Sequence, residues 1–184
     1  MNFKYNIFMS NYRRFYNPNY KYIFITMVTY NRTPLLLNNI EILRSSFKFS
    51  MQRYNYEIYA CCILKDHIHL ILKLENNKNY SEIIRLTKYH FSRNIKQSTQ
   101  PSASKLQKRE KGIWQRRYWE HTIRNENDMN IHLDYIHYNP YKHYKILPIN
   151  WEFSSFNKFV KLGFYERSWY NDKDLNNIKN LDFE

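Results

Sequence analysis

Two histidines alternate with apolar residues in the run Lys65-Asp66-His67-Ile68-His69-Leu70-Ile71-Leu72. On a strand, residues i and i+2 share one face, about 6–7 Å apart along the chain. His67 and His69 then point together while Ile68 and Leu70 enter the core. Two converging imidazoles can hold one cation, with further ligands supplied from elsewhere. Two ligands are too few for a closed structural site, so the pair suits an open one that substrate or water completes. The competing reading of His-X-His is two exposed or hydrogen-bonded rings with no metal.

A second run, His132-Leu133-Asp134-Tyr135-Ile136-His137-Tyr138-Asn139-Pro140-Tyr141-Lys142-His143, has helical character. Tyr135 and Asn139 stand four apart, which sets their Cβ atoms roughly 5–6 Å from each other on one helix face. A phenol can attack an electrophile, and an amide oxygen can bind a cation. Neutral tyrosine is a poor nucleophile, with a reference pKa of about 10. A nearby cation or lysine would stabilise the phenolate. The chain holds 18 tyrosines, most of them packing residues, and position alone does not choose between Tyr135 and Tyr138.

The elements that must carry these residues can be read from periodicity. Residues 20–30 are dense in β-branched and aromatic side chains and predict a strand buried on both faces. Asn31-Arg32-Thr33-Pro34 breaks it. Residues 35–54 place Leu36, Ile40, Leu43, Phe47 and Met51 at helical spacing. Residues 56–64 and 67–74 predict a hairpin turning at Lys65-Asp66. Ser81-Glu82 opens a helix that continues to about Ile95. Residues 97–112 are polar and predict a loop. Residues 114–123 predict a fourth strand or extended segment. Asn125-Glu126-Asn127-Asp128 caps a helix from Met129 to about Asn139, limited by Pro140. Residues 151–164 pack back on the body. The order β-α-β-β-α-β plus one further helix predicts an α+β fold. It is the ferredoxin-like split βαβ antiparallel sheet with a C-terminal helix bearing Tyr135.

The chain of 184 residues is the size of one domain, read as 1–165, with an acidic tail, 166–184. Lys and Arg total 29 against 16 Asp and Glu, a net +13. The tail has three basic and five acidic residues; the body has 26 and 11, a net of +15. Twelve of the basic residues fall in 76–124, beside Glu82, Glu110 and Glu120. Such a body attracts a polyanion. The interleaved Tyr89, Phe91, Trp114, Tyr118 and Trp119 can stack on unpaired bases, although Trp114 and Trp119 fit a core as well. A hydrophobic fraction of 43% excludes wholesale disorder. The two cysteines, Cys61 and Cys62, are adjacent, which excludes a disulfide framework and a cysteine zinc site and points to a reduced compartment. The most apolar stretch, Ile23-Phe24-Ile25-Thr26-Met27-Val28, falls far short of the ~20 residues of a membrane helix. The first residues lack a secretory apolar core. The expectation is a cytoplasmic protein with no membrane segment.

Several motifs occur in a fixed order. They are Tyr12-Arg13-Arg14-Phe15-Tyr16, His67-Ile68-His69, Trp114-Gln115-Arg116-Arg117-Tyr118-Trp119-Glu120-His121-Thr122-Ile123-Arg124, the run around Tyr135, and Trp151-Glu152-Phe153-Ser154-Ser155-Phe156. Together they resemble the HUH single-tyrosine transposases and, more specifically, the REP-associated tyrosine transposase family, over about residues 12–165. The resemblance implies that His67 and His69 are metal ligands, that Tyr135 is the nucleophile and that Asn139 is the third polar group at the metal. It implies Mg²⁺ or Mn²⁺. Imidazoles suit softer ions, but an amide oxygen, waters and phosphate oxygens harden the site. It also implies cleavage and rejoining of single-stranded DNA at hairpin repeats through a 5′-phosphotyrosine, by a monomer or homodimer. Arg13, Arg14, Arg116, Arg117, Arg124 and Lys142 are the candidates for DNA contacts. The sequence departs from the family pattern at Asp66, where little effect is expected, at Tyr141 in place of the usual Val, and in the 97–112 loop.

Two rival readings use the same residues. A non-catalytic single-stranded nucleic-acid-binding module would bind regardless of EDTA or of Tyr135→Phe. An HUH replication initiator or relaxase would share the chemistry, but such proteins often carry two tyrosines and extra domains, where this chain has one motif match. The tail's charge suggests that it folds back over the basic cleft and competes with DNA.

Overall fold

The computed structural model describes residues 19–75, 77–96, 102–107, 111–169, 181 and 183. Arg13 and Arg14 lie outside the described residues. The strands are β1 (Tyr22–Val28), β2 (Tyr56–Ile63), β3 (His67–Leu74) and β4 (Trp119–Thr122). The helices are α1 (Ile40–Met51), α2 (Tyr80–Asn94), α3 (Ala103–Gln107), α4 (Glu126–Tyr144) and α5 (Phe156–Lys161). One sheet has the order β2-β3-β1-β4 with every neighbouring pair antiparallel. This is the ferredoxin-like split βαβ arrangement, in which β3 separates β1 from β2. Among the described residues, no helix is long and apolar enough to cross a membrane.

Both faces of the sheet are covered. The pleat sends alternate residues to opposite sides. Ile23, Ile25, Met27, Ile68, Leu70 and Leu72 pack with Leu43 and Phe47 of α1 and with Ile83, Ile84 and Phe91 of α2. Phe24, Ala60, Cys62 and Ile71 face the other way, against Leu133, Tyr135 and Ile136 of α4 and Phe159 of α5. Each fully buried Leu, Ile or Phe contributes about 1.5–3 kcal/mol by leaving water. A β1 apolar on both sides therefore needs helices on both sides.

Several boundaries differ from the periodicity. A 3₁₀ turn, Leu37–Asn39, precedes α1, and the helix begins only at Ile40. Met51 is 38% exposed, while Ser46 and Ser50 are buried. Ser50 is satisfied there by Tyr56 Oη at 2.6 Å and Thr87 Oγ1 at 3.1 Å, so hydroxyls can hold core positions on this face. The described part of the predicted 97–112 loop contains α3. The fourth strand is confined to four residues, and Trp114 makes only an isolated bridge to Thr29.

The largest departure is α4, which runs through Pro140 to Tyr144. A proline inside a helix cannot donate to the carbonyl four residues back. One residue earlier in the ladder, Asn139 Nδ2 donates to the Tyr135 carbonyl at 2.7 Å, a side-chain bond that reinforces the helix where the proline weakens it. The ends are sealed. Asn125 Oδ1 accepts from the Asp128 N–H at 2.9 Å. At the other end Lys145 takes the left-handed conformation, φ 57°, and the Ile146 N–H reaches back to the Pro140 carbonyl.

Candidate active site

The β3 pleat turns His67 and His69 toward α4, with ring centroids 4.9 Å apart. Neither is a surface ring: their exposures are 1% and 0%. His67 Nδ1 lies 2.7 Å from Asp66 Oδ1. A carboxylate only accepts, so Nδ1 carries the hydrogen and Nε2 the lone pair. Burial alone would raise the Asp66 carboxyl, but hydrogen bonds from His67 and from Arg32, at 3.2 Å, leave it below the usual carboxylate range. His69 Nδ1 sits 2.8 Å from Thr26 Oγ1, and Thr26 is its register partner on β1. Each imidazole is thus fixed by a polar group on its Nδ1 side.

Helix α4 delivers the phenol. The Tyr135 ring is fully buried and stands 5.1 Å from His69, edge to face. Tyr138 points elsewhere, toward Tyr141 at 5.9 Å. The alternative left open by position is therefore decided geometrically: Tyr135 is the tyrosine beside the histidine pair. Lys142 Nζ donates to the Tyr135 hydroxyl at 3.3 Å. Asn139 is also fully buried, and among the described residues its Oδ1 has no hydrogen-bond partner. Buried polar atoms are nearly always satisfied, so this acceptor has room for one further partner such as an ion.

Four participants are not evident from the histidine and tyrosine motifs. His143 lies with its ring 4.8 Å from His67. Its spacing of four beyond Asn139, itself four beyond Tyr135, could have found it. Asp66 and Thr26 fix the two imidazoles, and only the β1–β3 register reveals Thr26. The fourth is Phe183, whose ring packs 4.8 Å from Tyr135, 5.0 Å from His132 and 4.8 Å from Trp119. Phe183, one of two described residues in 170–184, reaches the phenol by this aromatic contact.

The basic candidates scatter. Lys142 reaches the hydroxyl. Arg116 and Arg117 are exposed in the segment before β4, and Arg124 is exposed at the entry to α4. Tyr135 stands roughly 13 Å along the helix from its first residue, so Arg124, placed before that residue, is remote from the phenol.

A second cluster, His121, Asp128 and His132, brings potential ligand atoms within 4.8 Å of one another. His121 Nε2 lies 2.9 Å from both Asp128 oxygens, and His132 Nδ1 is 2.8 Å from the Asp128 carbonyl. The nitrogens facing Asp128 present N–H groups to oxygen, which leaves the lone pairs on His121 Nδ1 and on the buried His132 Nε2. As hydrogen-bonded here, the cluster clamps β4 to the first turn of α4. Burial, the largest effect on Asp128, raises its carboxyl, but the bond from His121 and the Arg124 N–H bring it below the usual range.

The sequence profile of the family described as "Transposase IS200 like" matches residues 16–139. A Haemophilus influenzae protein described as a REP-associated tyrosine transposase is 43% identical over 171 residues, spanning 91% of this chain and 97% of the relative. The chain belongs to the REP-associated tyrosine transposase family. A member from Escherichia coli K12 is 34% identical over 166 residues, covering 89% of this chain and 93% of its own. A REP-associated tyrosine transposase solved bound to a REP hairpin superposes with a TM-score of 0.72 at 32% identity, over 89% of this chain and 93% of that one. The sheet and helices described above are therefore this family's α+β fold.

Proposed function

We propose that this transposase cleaves and rejoins single-stranded DNA at hairpin-forming repeats, with Tyr135 as nucleophile. The observation that carries the reading is the Tyr135 hydroxyl itself, on a ring packed against His69 and 3.3 Å from the Lys142 ammonium. The ammonium stabilises the negative charge the phenol oxygen gains as its proton passes to solvent. That oxygen attacks the scissile phosphorus. The new O–P bond forms as the bond to the 3′-oxygen breaks, and the leaving oxygen is protonated to a 3′-hydroxyl. The 5′-phosphate remains on Tyr135 as a phosphodiester. Attack by a 3′-hydroxyl on this link restores the phenol and joins the strands, with one phosphodiester bond made for each broken.

The donor set fits a hard divalent ion. His67 and His69 offer Nε2, and Asn139 offers a buried amide oxygen with no hydrogen-bond partner among the described residues. These three residues would hold Mg²⁺ or Mn²⁺, which when bound supplies charge to polarise and orient a phosphate oxygen. The +15 body and the relative solved with a REP hairpin support hairpin DNA as the substrate.

The test is incubation with single-stranded hairpin oligonucleotides, with Mn²⁺ or with EDTA, followed by a denaturing gel. Wild type should give a covalent protein–DNA adduct that EDTA and Tyr135→Phe abolish. An adduct that survives Tyr135→Phe assigns the wrong nucleophile. Hairpin binding with no adduct from wild type would leave a non-catalytic binding module.

A further inference from the structure

A second set of ligating side chains is distinct from His67, His69 and Asn139. It joins His121 on the edge strand β4 to Asp128 and His132 on the first two turns of α4. The ligand atoms all fall within 4.8 Å of one another. His121 Nε2 is 2.9 Å from each Asp128 oxygen, and His132 Nδ1 is 3.1 Å from Oδ1. Ligands 2.0–2.2 Å from a tetrahedral zinc ion stand about 3.3–3.6 Å from one another, so an ion between these groups opens their contacts by about half an ångström.

The three side chains are already oriented for this. The two imidazoles stack with their planes 11° apart and centroids 4.6 Å apart. Phe183 stacks on His132, also at 11°. The Arg124 N–H donates to Asp128 Oδ2 at 3.0 Å, an outer bond of the kind that orients a ligating carboxylate. The carboxylate also supplies the negative charge that a cation near a helix N-terminus needs.

Ligation requires the hydrogen on each inner nitrogen to move to the outer nitrogen of the same ring. On His132 nothing opposes that move from outside: the ring is 3% exposed, and Nε2 has no partner among the described residues. The Asp128 carbonyl that Nδ1 would release lies inside α4, where the backbone N–H four residues on is its helical partner. His121 and Asp128 are 27% and 19% exposed, which gives an ion a way in and a water a place as fourth ligand. Two imidazoles and one carboxylate suit Zn²⁺ better than Mg²⁺.

We propose that His121 Nε2, Asp128 and His132 Nδ1 hold one Zn²⁺, separate from the ion proposed at His67, His69 and Asn139. It ties β4 to α4 one turn before Tyr135. The site stands whether or not Tyr135 is a nucleophile.

The experiment strips the full chain with EDTA, dialyses it to equilibrium against buffered Zn²⁺ and measures bound zinc by elemental analysis. Wild type should carry one more zinc per chain than His121→Asn, and Asp128→Asn should lose the same equivalent. His67→Ala/His69→Ala should keep it. At a hundredfold excess over Kd, Zn²⁺ should raise the melting temperature of that double variant by about 5 °C or more, and adding His121→Asn should remove the shift. Equal zinc contents in wild type, His121→Asn and Asp128→Asn would overturn the proposal. Anomalous scattering from zinc-loaded wild-type crystals needs no variant. It should show a peak among His121, Asp128 and His132; a peak beside His67 alone, or none, would overturn the site. The Mn²⁺-dependent adduct reports on Tyr135 independently, so either reading can fail without the other.

Discussion

The backbone N–H of Phe183 donates to the Tyr135 hydroxyl at 3.3 Å, across 48 residues of sequence. The Phe183 ring meets the same phenol edge to face and stacks on His132 at an interplanar angle of 11°. The hydroxyl proposed as nucleophile is therefore held by Lys142 on one side and contacted by Phe183 on the other.

Removing that contact should speed the reaction. Phe183→Ala is expected to raise the rate of adduct formation several-fold and to tighten binding of single-stranded substrate. Single-turnover kinetics on the hairpin oligonucleotide measure both. A rate equal to wild type would make Phe183 a bystander of packing.

Lys142 is expected to act on the chemical step rather than on binding. Lys142→Met removes the cation nearest the developing phenolate and should cost about 10²-fold in rate near neutral pH. The deficit should shrink as pH rises and hydroxide deprotonates the phenol unaided. Hairpin affinity should change by less than threefold. A rate loss independent of pH would point to a structural role.

Asp66 should matter more than its place beside the motif suggests. Because it fixes the His67 tautomer, Asp66→Ala is expected to raise the Mn²⁺ concentration for half-maximal adduct formation by about 10–100-fold. Asp66→Asn, which keeps an acceptor but loses the charge, should fall between. Equal Mn²⁺ requirements in all three proteins would remove the tautomer argument.

Stability should decline in mild acid, and His137 should be a principal cause. It is fully buried, with Nε2 2.8 Å from Ser155 Oγ, and burial holds its pKa down to about 3 from 6.5. Below pH 6.5 the unfolded chain takes up a proton that the folded chain refuses. Stability present above that pH is therefore lost progressively as pH falls toward about 3. Between pH 6.5 and pH 5 the loss is about 2 kcal/mol. His132, likewise lowered by burial, adds loss of the same sign. Urea unfolding at pH 7 and pH 5 should show a smaller difference for His137→Gln than for wild type.

Much of the fold was legible locally. The alternation in His67–Leu74 and the dense apolar run of β1 predicted both strands, and the Asn125–Asp128 cap placed the start of α4 within three residues. The end of α4 was misread because Pro140 breaks helices in isolation, whereas here packing and the Asn139 side chain carry the helix past it. Met51 was misread because helical spacing marks a stripe but not how far along the helix its neighbours extend. In α1 those neighbours end before Met51, while Ser46 and Ser50 find partners in the interior.

Spacing alone determined that His67 and His69 share a face and that Tyr135, Asn139 and His143 share another, because pleat and helical pitch are properties of adjacent residues. Which way α4 is rotated about its axis was decided only by the tertiary structure. That rotation sets Tyr135 rather than Tyr138 against His69. The pairing of Thr26 with His69 and the return of Phe183 to the phenol were decided in the same way. These contacts join residues tens of positions apart, and they exist only because burying both faces of one sheet leaves α4 a single seat.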